Sequence, residues 1–307
     1  SQMWQGTVVA YGSLANDTAL EVDGMSVMSL LNQGSIAGVY HNQGAYQEMS
    51  YQVVAGSADS QTGGVRINMI PKEGGNRLSG DFLALYSKDT FQANNLDDSL
   101  RKRGLNTPGS LVEIYDYNGG LGGPIVRDRL WFFHSTRRWG TANIINNQYL
   151  PDGSPAVDRS RIRAYTTRLT GQATSKTKLS VMYDALPKTR QYFGSENGTQ
   201  APEGSAYQNQ FGYDYQAKWT GTWTSKLLTE VGFSQNFLGY NLAYQPGTPG
   251  PSAANPFGAI SKSDAGIASK GVFNAPATTF YNPFVAKVDR KSTRLNSSHV
   301  SESRMPS

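Results

Sequence analysis

Apolar and polar residues alternate with a period of two along most of the chain after residue 78. The clearest case is Gly212–Thr224, where Tyr, Trp, Ala and Gly residues fall on one face and Asp, Gln, Lys and Thr residues on the other. Successive side chains of a β-strand point to opposite faces of a sheet. The pattern therefore predicts a strand with one apolar and one polar face, and Leu227–Tyr244 continues the alternation.

The connections between the predicted strands are alternately short and long. Strands are predicted at Ser79–Ser87, Leu111–Gly123, Leu130–Gly140, Arg161–Thr174, Lys178–Asp184, Gly212–Thr224 and Leu227–Tyr244, and another begins at Phe284. The long connections are Lys88–Ser110, Thr141–Ser160, Leu186–Phe211 and Gln245–Tyr281. Outer-membrane barrels combine tight periplasmic turns with long extracellular loops. The chain is thus predicted to be mainly β, with about seven or eight strands of a partial antiparallel transmembrane β-barrel over residues 79–288. A soluble secreted all-β binding domain, whose core would take up the same aromatics, is the less favoured alternative.

The segment Val112–Gly140 holds the strongest local signal, a hairpin with glycines before its turn and aromatics after it. Its marker residues are Gly119, Gly120, Gly122, Gly123, Pro124, Asp128, Trp131, Phe132 and Phe133. Proline is confined to strand starts, edges and bulges, so Pro124 is predicted to close the first strand. Aromatic rings directly after a tight turn are expected at the headgroup depth of a membrane.

Residues 1–78 have a different organisation, that of a small α+β unit. Val22-Asp23-Gly24 predicts a strand that reaches a turn, since Asp-Gly is a strong turn signal. A short helix is predicted at Ser26–Leu31, and strands at Glu48–Val54 and Val65–Ile70. Lys72–Asn76, which contains two glycines, is predicted to form a hinge to the barrel.

The last nineteen residues, 289–307, do not continue the pattern. Asp289–His299 and Ser303–Ser307 read as the translation of a sequencing adapter, and sixteen of the nineteen residues fit it. We interpret 289–307 as a non-native, adapter-derived tail. The remaining chain is then expected to be a piece of a longer gene product.

Composition excludes several classes of protein. Without the tail the net charge falls from +5 to +3, so the basic balance gives no support for nucleic-acid binding. No run of about 18 apolar residues is present, which excludes helical membrane spans. The absence of Cys excludes a disulfide scaffold and a Cys-ligated metal site.

No motif in the chain supports catalysis, a cofactor or a metal ion. Outside the tail the histidines are His41 and His134, with no second ligand at metal spacing. Asn94–Asp98 is more typical of a solvated loop than of a calcium site. We therefore expect no enzyme activity, no cofactor and no metal site. A group of arginines has three open interpretations: it lines an anion-attracting lumen, it faces lipopolysaccharide at the rim, or it is ordinary lumen charge. Its members are Arg137, Arg138, Arg161, Arg163 and Arg168.

Several motifs in fixed order resemble a known family. The marker residues before the hairpin are Val22, Asp23, Gly24, Gly63, Gly64, Val65, Asn68 and Lys72. Together with the hairpin of residues 118–133, they resemble the plug and first barrel strands of TonB-dependent outer-membrane receptors, and the hairpin is similar to the Oar-like branch. The resemblance covers roughly Glu21–Gly140.

The resemblance implies a location and partners. In such receptors, of Gram-negative bacteria, a plug fills a barrel of about 22 strands, so 1–78 would be the C-terminal part of the plug. The expected function is energised uptake of a large solute (a siderophore, glycan, peptide or cobalamin), with TonB bound to a box outside this stretch. Outer-membrane lipid, lipopolysaccharide and a possible surface lipoprotein are the other expected partners.

Solute contact is predicted for a loop of the plug, at Tyr40, His41, Asn42 and Tyr46. The Gln245–Tyr281 loop is a second candidate. An outer-membrane adhesion or surface-assembly protein with the same barrel is the alternative function.

Overall fold

The computed structural model describes residues 12–14, 17–28, 40–53, 64–150, 152–195, 202, 205–246, 262–263, 279–280 and 286–296. Within these residues two main sheets form, a small one early in the chain and a large one after it. Gly63 and nearly all of the Gln245–Tyr281 loop lie outside the described residues, so the predictions that concern them stay predictions.

The small sheet, called here the inner sheet, has four strands in the order β2-β1-β4-β3. Its strands are β1 (Ala19–Val22), β2 (Met25–Ser26), β3 (Tyr46–Gln52) and β4 (Arg66–Pro71). β1 and β4 run parallel, and the other two pairs are antiparallel. The predicted Asp-Gly turn joins β1 to β2, with φ of 54° at Asp23 and 79° at Gly24. Positive φ at both central residues is what a type I′ hairpin turn requires.

The large sheet, called here the wall, is antiparallel and contains nine strands. They are β5 (Ser79–Lys88), β6 (Leu111–Val126), β7 (Leu130–Tyr149), β8 (Pro155–Thr174), β9 (Thr177–Ala185), β10 (Lys188–Phe193), β11 (Ala206–Thr222), β12 (Leu228–Ala243) and β15 (Ala286–Asn296). β9 and β10 follow each other between β8 and β11, so the wall has eight strand positions, within the predicted number. Two short strands, β13 (Lys262–Ser263) and β14 (Thr279–Phe280), pair separately.

The wall has the two faces that the alternation predicts. In β11 the side chains of Asp214 and Gln216 are buried, whereas Tyr215 between them is 46% exposed. Its neighbours across the sheet repeat the pattern, with exposed Val181 on β9 and Val231 on β12. The buried face is polar and the exposed face apolar, which is the reverse of a soluble sheet and typical of a transmembrane barrel.

The wall strands are longer than predicted on the side of the long connections. The predicted loop Thr141–Ser160 is mostly strand, because β7 continues to Tyr149 and β8 begins at Pro155. The predicted loop Leu186–Phe211 is likewise wrong at both ends. β10 extends the wall at its start, and the first residues of β11, from Ala206, extend it at its end. The sequence pattern did not predict these strand ends, because both of their faces carry polar residues. Strands that project beyond the bilayer no longer need an apolar face.

The hairpin of β6 and β7 differs from its prediction in two respects. Pro124 does not close the strand; β6 runs to Val126, and the register shifts between Pro124 and Val126. The aromatics also do not share one environment. Phe132 lies opposite exposed Leu169 on the outward face, whereas Phe133 is buried in an apolar cluster with residues of the inner sheet.

Two predicted features of the first 110 residues are also corrected. The helix predicted from Ser26 is not formed there, because Ser26 ends β2, and residues 29–31 lie outside the described residues. The connection after β5 contains a short helix, α1 (Asp98–Lys102), and Asp97 is its N-cap. Asp97 and Asp98 of the predicted solvated loop therefore stabilise the start of a helix.

β15 crosses the boundary that was predicted between native chain and tail. It pairs antiparallel with β12 from Ala286 to Asn296. Strand pairing uses backbone groups that every residue carries, so the prediction for 289–307 stays a prediction. None of the helices in the described ranges is long and apolar enough to cross a membrane.

The outward face generates a stability prediction. Val181 lies near the middle of a strand and is 40% exposed on the apolar face. Val181→Arg in the full-length protein should destabilise the barrel in lipid vesicles by about 2–4 kcal/mol, since a charge there must enter the bilayer midplane. Urea titration of folding into vesicles measures the change. Asn95→Arg, in the connection after β5, is the control and should change the stability by less than about 0.5 kcal/mol.

Candidate functional site

The candidate site is the interface at which the inner sheet meets the polar face of the wall. Three stretches supply the inner side: the β1–β2 turn, the loop that leads into β3, and the segment 72–76 after β4. The wall supplies polar side chains from strands β6, β7, β8, β9 and β11. The interface is therefore built from residues far apart in the sequence.

An ion network surrounds the β1–β2 turn. The Asp23 carboxylate lies 2.9 Å from an Arg168 nitrogen and 3.2 Å from Lys218 Nζ. Glu73 also lies 2.9 Å from Arg168, and 2.6 Å from Lys178 Nζ. Arg168 is 6% exposed, and a buried charge persists only when it is paired. Asp23 in the β1–β2 turn and Glu73 after β4 thus compensate three cations of the wall.

The geometry of the turn explains why an aspartate reaches the wall. The left-handed conformation of Asp23 and Gly24 closes the hairpin, and Asn68 Oδ1 accepts from the Gly24 N–H at 3.0 Å. Burial acts to raise the pKa of Asp23, but the charges of Arg168 and Lys218 outweigh it and hold that pKa below its ordinary value of 3.8. The carboxylate is therefore ionised at neutral pH.

Asn42 forms a second contact with the wall. It is fully buried; its side-chain amide donates to Asn118 Oδ1 at 3.2 Å and to Ser135 Oγ at 2.5 Å. Its own Oδ1 accepts from the Gly44 N–H, which fixes the short 3₁₀ turn Gln43–Ala45. A Cβ on Gly44 would lie 1.8 Å from Asn118 Nδ2, so only glycine allows this approach.

His41 enters a buried acidic pair of the wall. Its Nδ1 lies 3.6 Å from Asp184 Oδ2 and 3.8 Å from Asp214 Oδ2, and the imidazole is 6% exposed. The Tyr46 hydroxyl lies 3.2 Å from the same nitrogen and 3.5 Å from Asp184 Oδ2. Burial, with the nearby carboxylates, raises the pKa of Tyr46 well above its usual range, so the hydroxyl is a neutral donor. Burial acts to lower the pKa of His41, but Asp184 and Asp214 outweigh it and raise that pKa.

Tyr40 and the segment after β4 complete the interface. Lys188 Nζ donates to the Tyr40 hydroxyl at 2.7 Å and lies 4.3 Å from the ring centroid. Asn76 Oδ1 accepts from the Asp128 N–H at 2.9 Å and from the Trp131 indole N–H at 2.8 Å. A Cβ on Gly74 would lie 2.1 Å from the Phe132 carbonyl oxygen. The predicted hinge is therefore anchored to the β6–β7 hairpin in this state.

The predicted solute-contact residues Tyr40, His41, Asn42 and Tyr46 are brought together, and their contacts here are with the wall. Their contact with a solute stays a prediction. The predicted arginine group divides between the faces: Arg137 and Arg168 turn inward, and Arg138, Arg161 and Arg163 are exposed. Sequence analysis placed Asp214 and Lys218 on the polar face of their strand but did not identify them, or Asp184 and Lys178, as site residues. Their signal was a charge on the polar face of an alternating strand.

Comparison with known proteins gives one match among curated sequences, and no family model matches the chain. The TonB-dependent transporter Oar of Myxococcus xanthus is 35% identical over 74 residues, which are 24% of this chain and 7% of the Oar chain.

Solved outer-membrane receptors share the fold. The siderophore receptor PirA of Acinetobacter baumannii superposes with a TM-score of 0.57 at 14% identity, over 91% of this chain and 37% of that one. The outer-membrane transporter YddB of Escherichia coli gives 0.55 at 14% identity, over 76% and 33%. The ferric enterobactin receptor PfeA of Pseudomonas aeruginosa gives 0.53 at 14% identity, over 91% and 38%.

A sheet lodged against the polar face of a lipid-facing antiparallel wall defines a plugged outer-membrane barrel. The fold is that of the solved outer-membrane receptors. Over the matched 74 residues the chain is similar to the TonB-dependent transporter Oar. The chain spans 7% of the length of that curated relative and about a third of the solved receptor chains.

The ion network generates a prediction. Asp23→Asn in the full-length protein leaves Arg168 with Glu73 alone and Lys218 with the longer ion pair to Glu230 at 3.7 Å. The inner sheet should therefore open more readily by about 2 kcal/mol, less than the roughly 3–5 kcal/mol for complete loss of a buried partner. Hydrogen exchange of the β1 and β4 amides should accelerate about 30-fold.

Acid should reproduce the effect in the unmodified protein. Because the folded pKa of Asp23 is lowered, its stabilisation is present above pH 3.8 and lost as the pH falls below that value. Asp116→Asn is the control, since it removes an ion pair with Arg137 inside the wall. Equal acceleration by both variants would contradict the assigned role of Asp23.

Proposed function

We propose that the protein takes up a large solute across the outer membrane, with the inner unit as a movable plug in the barrel. The observation that carries the proposal is the polarity of the interface. Asp23, Glu73, His41 and Asn42 meet the wall through charges and hydrogen bonds. Polar interfaces between units of one chain resemble transient rather than permanent contacts, so water can replace these partners when the plug moves.

The assignment of segments follows from the same proposal. Residues 1–78 are the rear part of the plug, and residues 79–288 are wall strands, with 289–307 as a non-native tail. TonB binds a box elsewhere in the full-length protein and supplies the force. The anchored segment 72–76 joins the moving and fixed parts.

The solute class is proposed from the relatives. PirA and PfeA are a siderophore receptor and a ferric enterobactin receptor, which makes a ferric siderophore the first solute to test; glycans, peptides and cobalamin follow, and a surface lipoprotein would accompany glycan or peptide import. The solute enters between long loops, one of which encloses a cavity of about 420 Å³ lined by Asp89, Gln92, Asn95 and Leu100. Tyr40, His41, Asn42 and Tyr46 stay the proposed contacts within the plug.

A cysteine tether tests the proposed plug movement. The chain has no Cys, so Asn42→Cys with Ser135→Cys adds one possible disulfide, between side chains that already touch. In cells with the full-length protein, uptake of radiolabelled ferric enterobactin, cobalamin, a peptide pool and an oligosaccharide pool is measured. We expect TonB-dependent uptake of one probe, its loss on oxidation of the tethered variant and its return with reductant.

The matched control places the disulfide within the wall. Thr170 and Ser180 lie directly opposite each other on β8 and β9, so Thr170→Cys with Ser180→Cys should leave uptake unchanged on oxidation. Uptake of none of the probes, or uptake that the plug tether leaves intact, would refute the proposal.

Lipopolysaccharide is the proposed lipid partner of the outward arginines. Arg138 and Arg163 are exposed and lie directly opposite each other on β7 and β8, with Arg161 beside them. Like charges in this register repel, and none of the three forms an ion pair within the described part of the chain. They lie about 20–28 Å above the short turns, which is the outer boundary of an apolar band about 25 Å tall. Phosphate groups of lipid A at that height would compensate them.

The lipid proposal predicts loss of bound lipopolysaccharide. Arg138→Gln with Arg163→Gln in the full-length protein should reduce co-purified lipopolysaccharide about tenfold or more, because each charge-assisted hydrogen bond contributes roughly 1.5–3 kcal/mol. Native mass spectrometry measures it. Arg101→Gln with Arg103→Gln, in the connection after β5, is the control; a matching loss there would indicate nonspecific charge attraction.

A further inference from the structure

The acidic pair beneath His41 has an unusual arrangement. Asp184 and Asp214 lie directly opposite each other on β9 and β11, and both are fully buried. Two like charges in this register repel each other, and burial strengthens the repulsion because the local dielectric is low. The pair therefore requires a positive charge close by.

Hydrogen bonds in the structure do not supply that compensation. Neither oxygen of Asp214 has a hydrogen-bond partner, and Asp184 Oδ1 and His41 Nε2 also have none. A buried carboxylate without any donor costs several kcal/mol. The Thr166 hydroxyl, across from Asp184 on β8, is another buried group without a partner.

A protonated His41 would supply one positive charge for two carboxylates, without a hydrogen bond of normal length to either. An N–H···O hydrogen bond has a nitrogen–oxygen distance of about 2.7–3.2 Å, whereas His41 Nδ1 is 3.6 Å and 3.8 Å from the two carboxylates. The spacing is too long for donors and acceptors in direct contact.

The two distances from His41 Nδ1 are close to the distance between two ligands of one metal ion. Nitrogen and oxygen ligands lie about 2.0–2.2 Å from Zn²⁺ in tetrahedral sites, which places two ligand atoms about 3.3–3.6 Å apart. The three ligand atoms of His41, Asp184 and Asp214 all lie within 4.8 Å of one another. One dication would offset two carboxylates beside a neutral imidazole.

We propose that His41, Asp184 and Asp214 bind one divalent transition-metal ion, which clips the plug to the barrel wall. The imidazole comes from the plug and the carboxylates from two neighbouring wall strands, so the ion bridges the two parts. The Tyr46 hydroxyl, 3.5 Å from Asp184 Oδ2, donates to a ligand and orients it. Imidazole with carboxylates suits Zn²⁺, Mn²⁺ or Fe²⁺. Sequence analysis did not predict this site, since the ligands lie 143 and 30 residues apart along the chain.

Zn²⁺ binding by the full-length protein tests the proposal. The protein is purified in detergent, stripped with EDTA and titrated with Zn²⁺, and bound metal is counted by mass spectrometry. We expect one saturable Zn²⁺ per chain and, on binding, slower hydrogen exchange in 40–53. EDTA should reverse the protection. Absence of saturable Zn²⁺, Mn²⁺ and Fe²⁺ binding by the unmodified protein overturns the proposal, whatever the variants do.

Two variants and one control assign the site. His41→Gln and Asp214→Asn should each weaken Zn²⁺ binding about 100-fold or more, since loss of even an outer partner costs about 10–100-fold. His134→Gln removes an exposed imidazole on the wall and should bind Zn²⁺ normally. Equal binding by all three variants would show adventitious metal. If Asp214→Asn instead protects 40–53 as strongly as Zn²⁺ would, a proton occupies the pair and the proposal is wrong. Neither readout depends on transport, so the proposed uptake can fail while this site stands.

Discussion

The polar face of the wall imposes the constraint on which the rest of the structure depends. A strand that turns apolar residues to lipid must turn its alternate residues inward, and in this wall those residues include Arg168, Asp184 and Asp214. Buried away from water, each must find a partner of opposite charge or a hydrogen bond. The inner sheet supplies those partners. Asp23 and Glu73 form ion pairs with the wall cations, and Asn42 donates hydrogen bonds to Asn118 and Ser135. His41 lies next to the two carboxylates. The inner sheet and the segments beside it therefore complement the charges of the polar wall face as well as pack against it.

Complementarity of this kind reconciles a stable resting state with movement. Apolar packing does occur, since Phe133 and Met182 of the wall join Val22 and Met69 of the inner sheet in one buried cluster. Around it, however, lie the ion network and the amide contacts. Separation of apolar surfaces exposes them to water at about 25 cal/mol per Å², whereas separated charges regain hydration. An interface with a small apolar centre and a polar surround is therefore consistent with the proposed function, in which the inner sheet is held at rest and released under force.

The sequence predicted the wall well because its signal is local. Alternation in Gly212–Thr224 assigns both faces of β11 without knowledge of any neighbour, and Asp214, Tyr215 and Gln216 lie where it places them. The Asp23-Gly24 turn is likewise set by two adjacent residues. Strand ends were predicted less well, since β7 and β10 continue beyond the bilayer where no apolar face marks them. The site was hardest, because it depends on register. Turn geometry and strand shear determine which residues face each other. They place Asp184 opposite Asp214 and Arg138 opposite Arg163. Residues 40–45 lead into β3, which begins at Tyr46, and their wall partners lie more than 70 residues away in the sequence.

The two like-charge pairs of the wall show how register becomes chemistry. The arginines face outward and the aspartates inward, and each pair is destabilising as long as the sheet is considered alone. The register of an antiparallel sheet cannot shift to separate such a pair, because a one-residue slip of a strand would turn all its apolar residues from lipid to lumen. The cost of that slip, summed over the apolar residues of the strand that moves, exceeds the repulsion within one pair. The wall therefore keeps both pairs, and each of them favours an ion of opposite charge nearby. This is the physical basis of the two proposals, an anionic phosphate at the outer surface and a cation beneath His41.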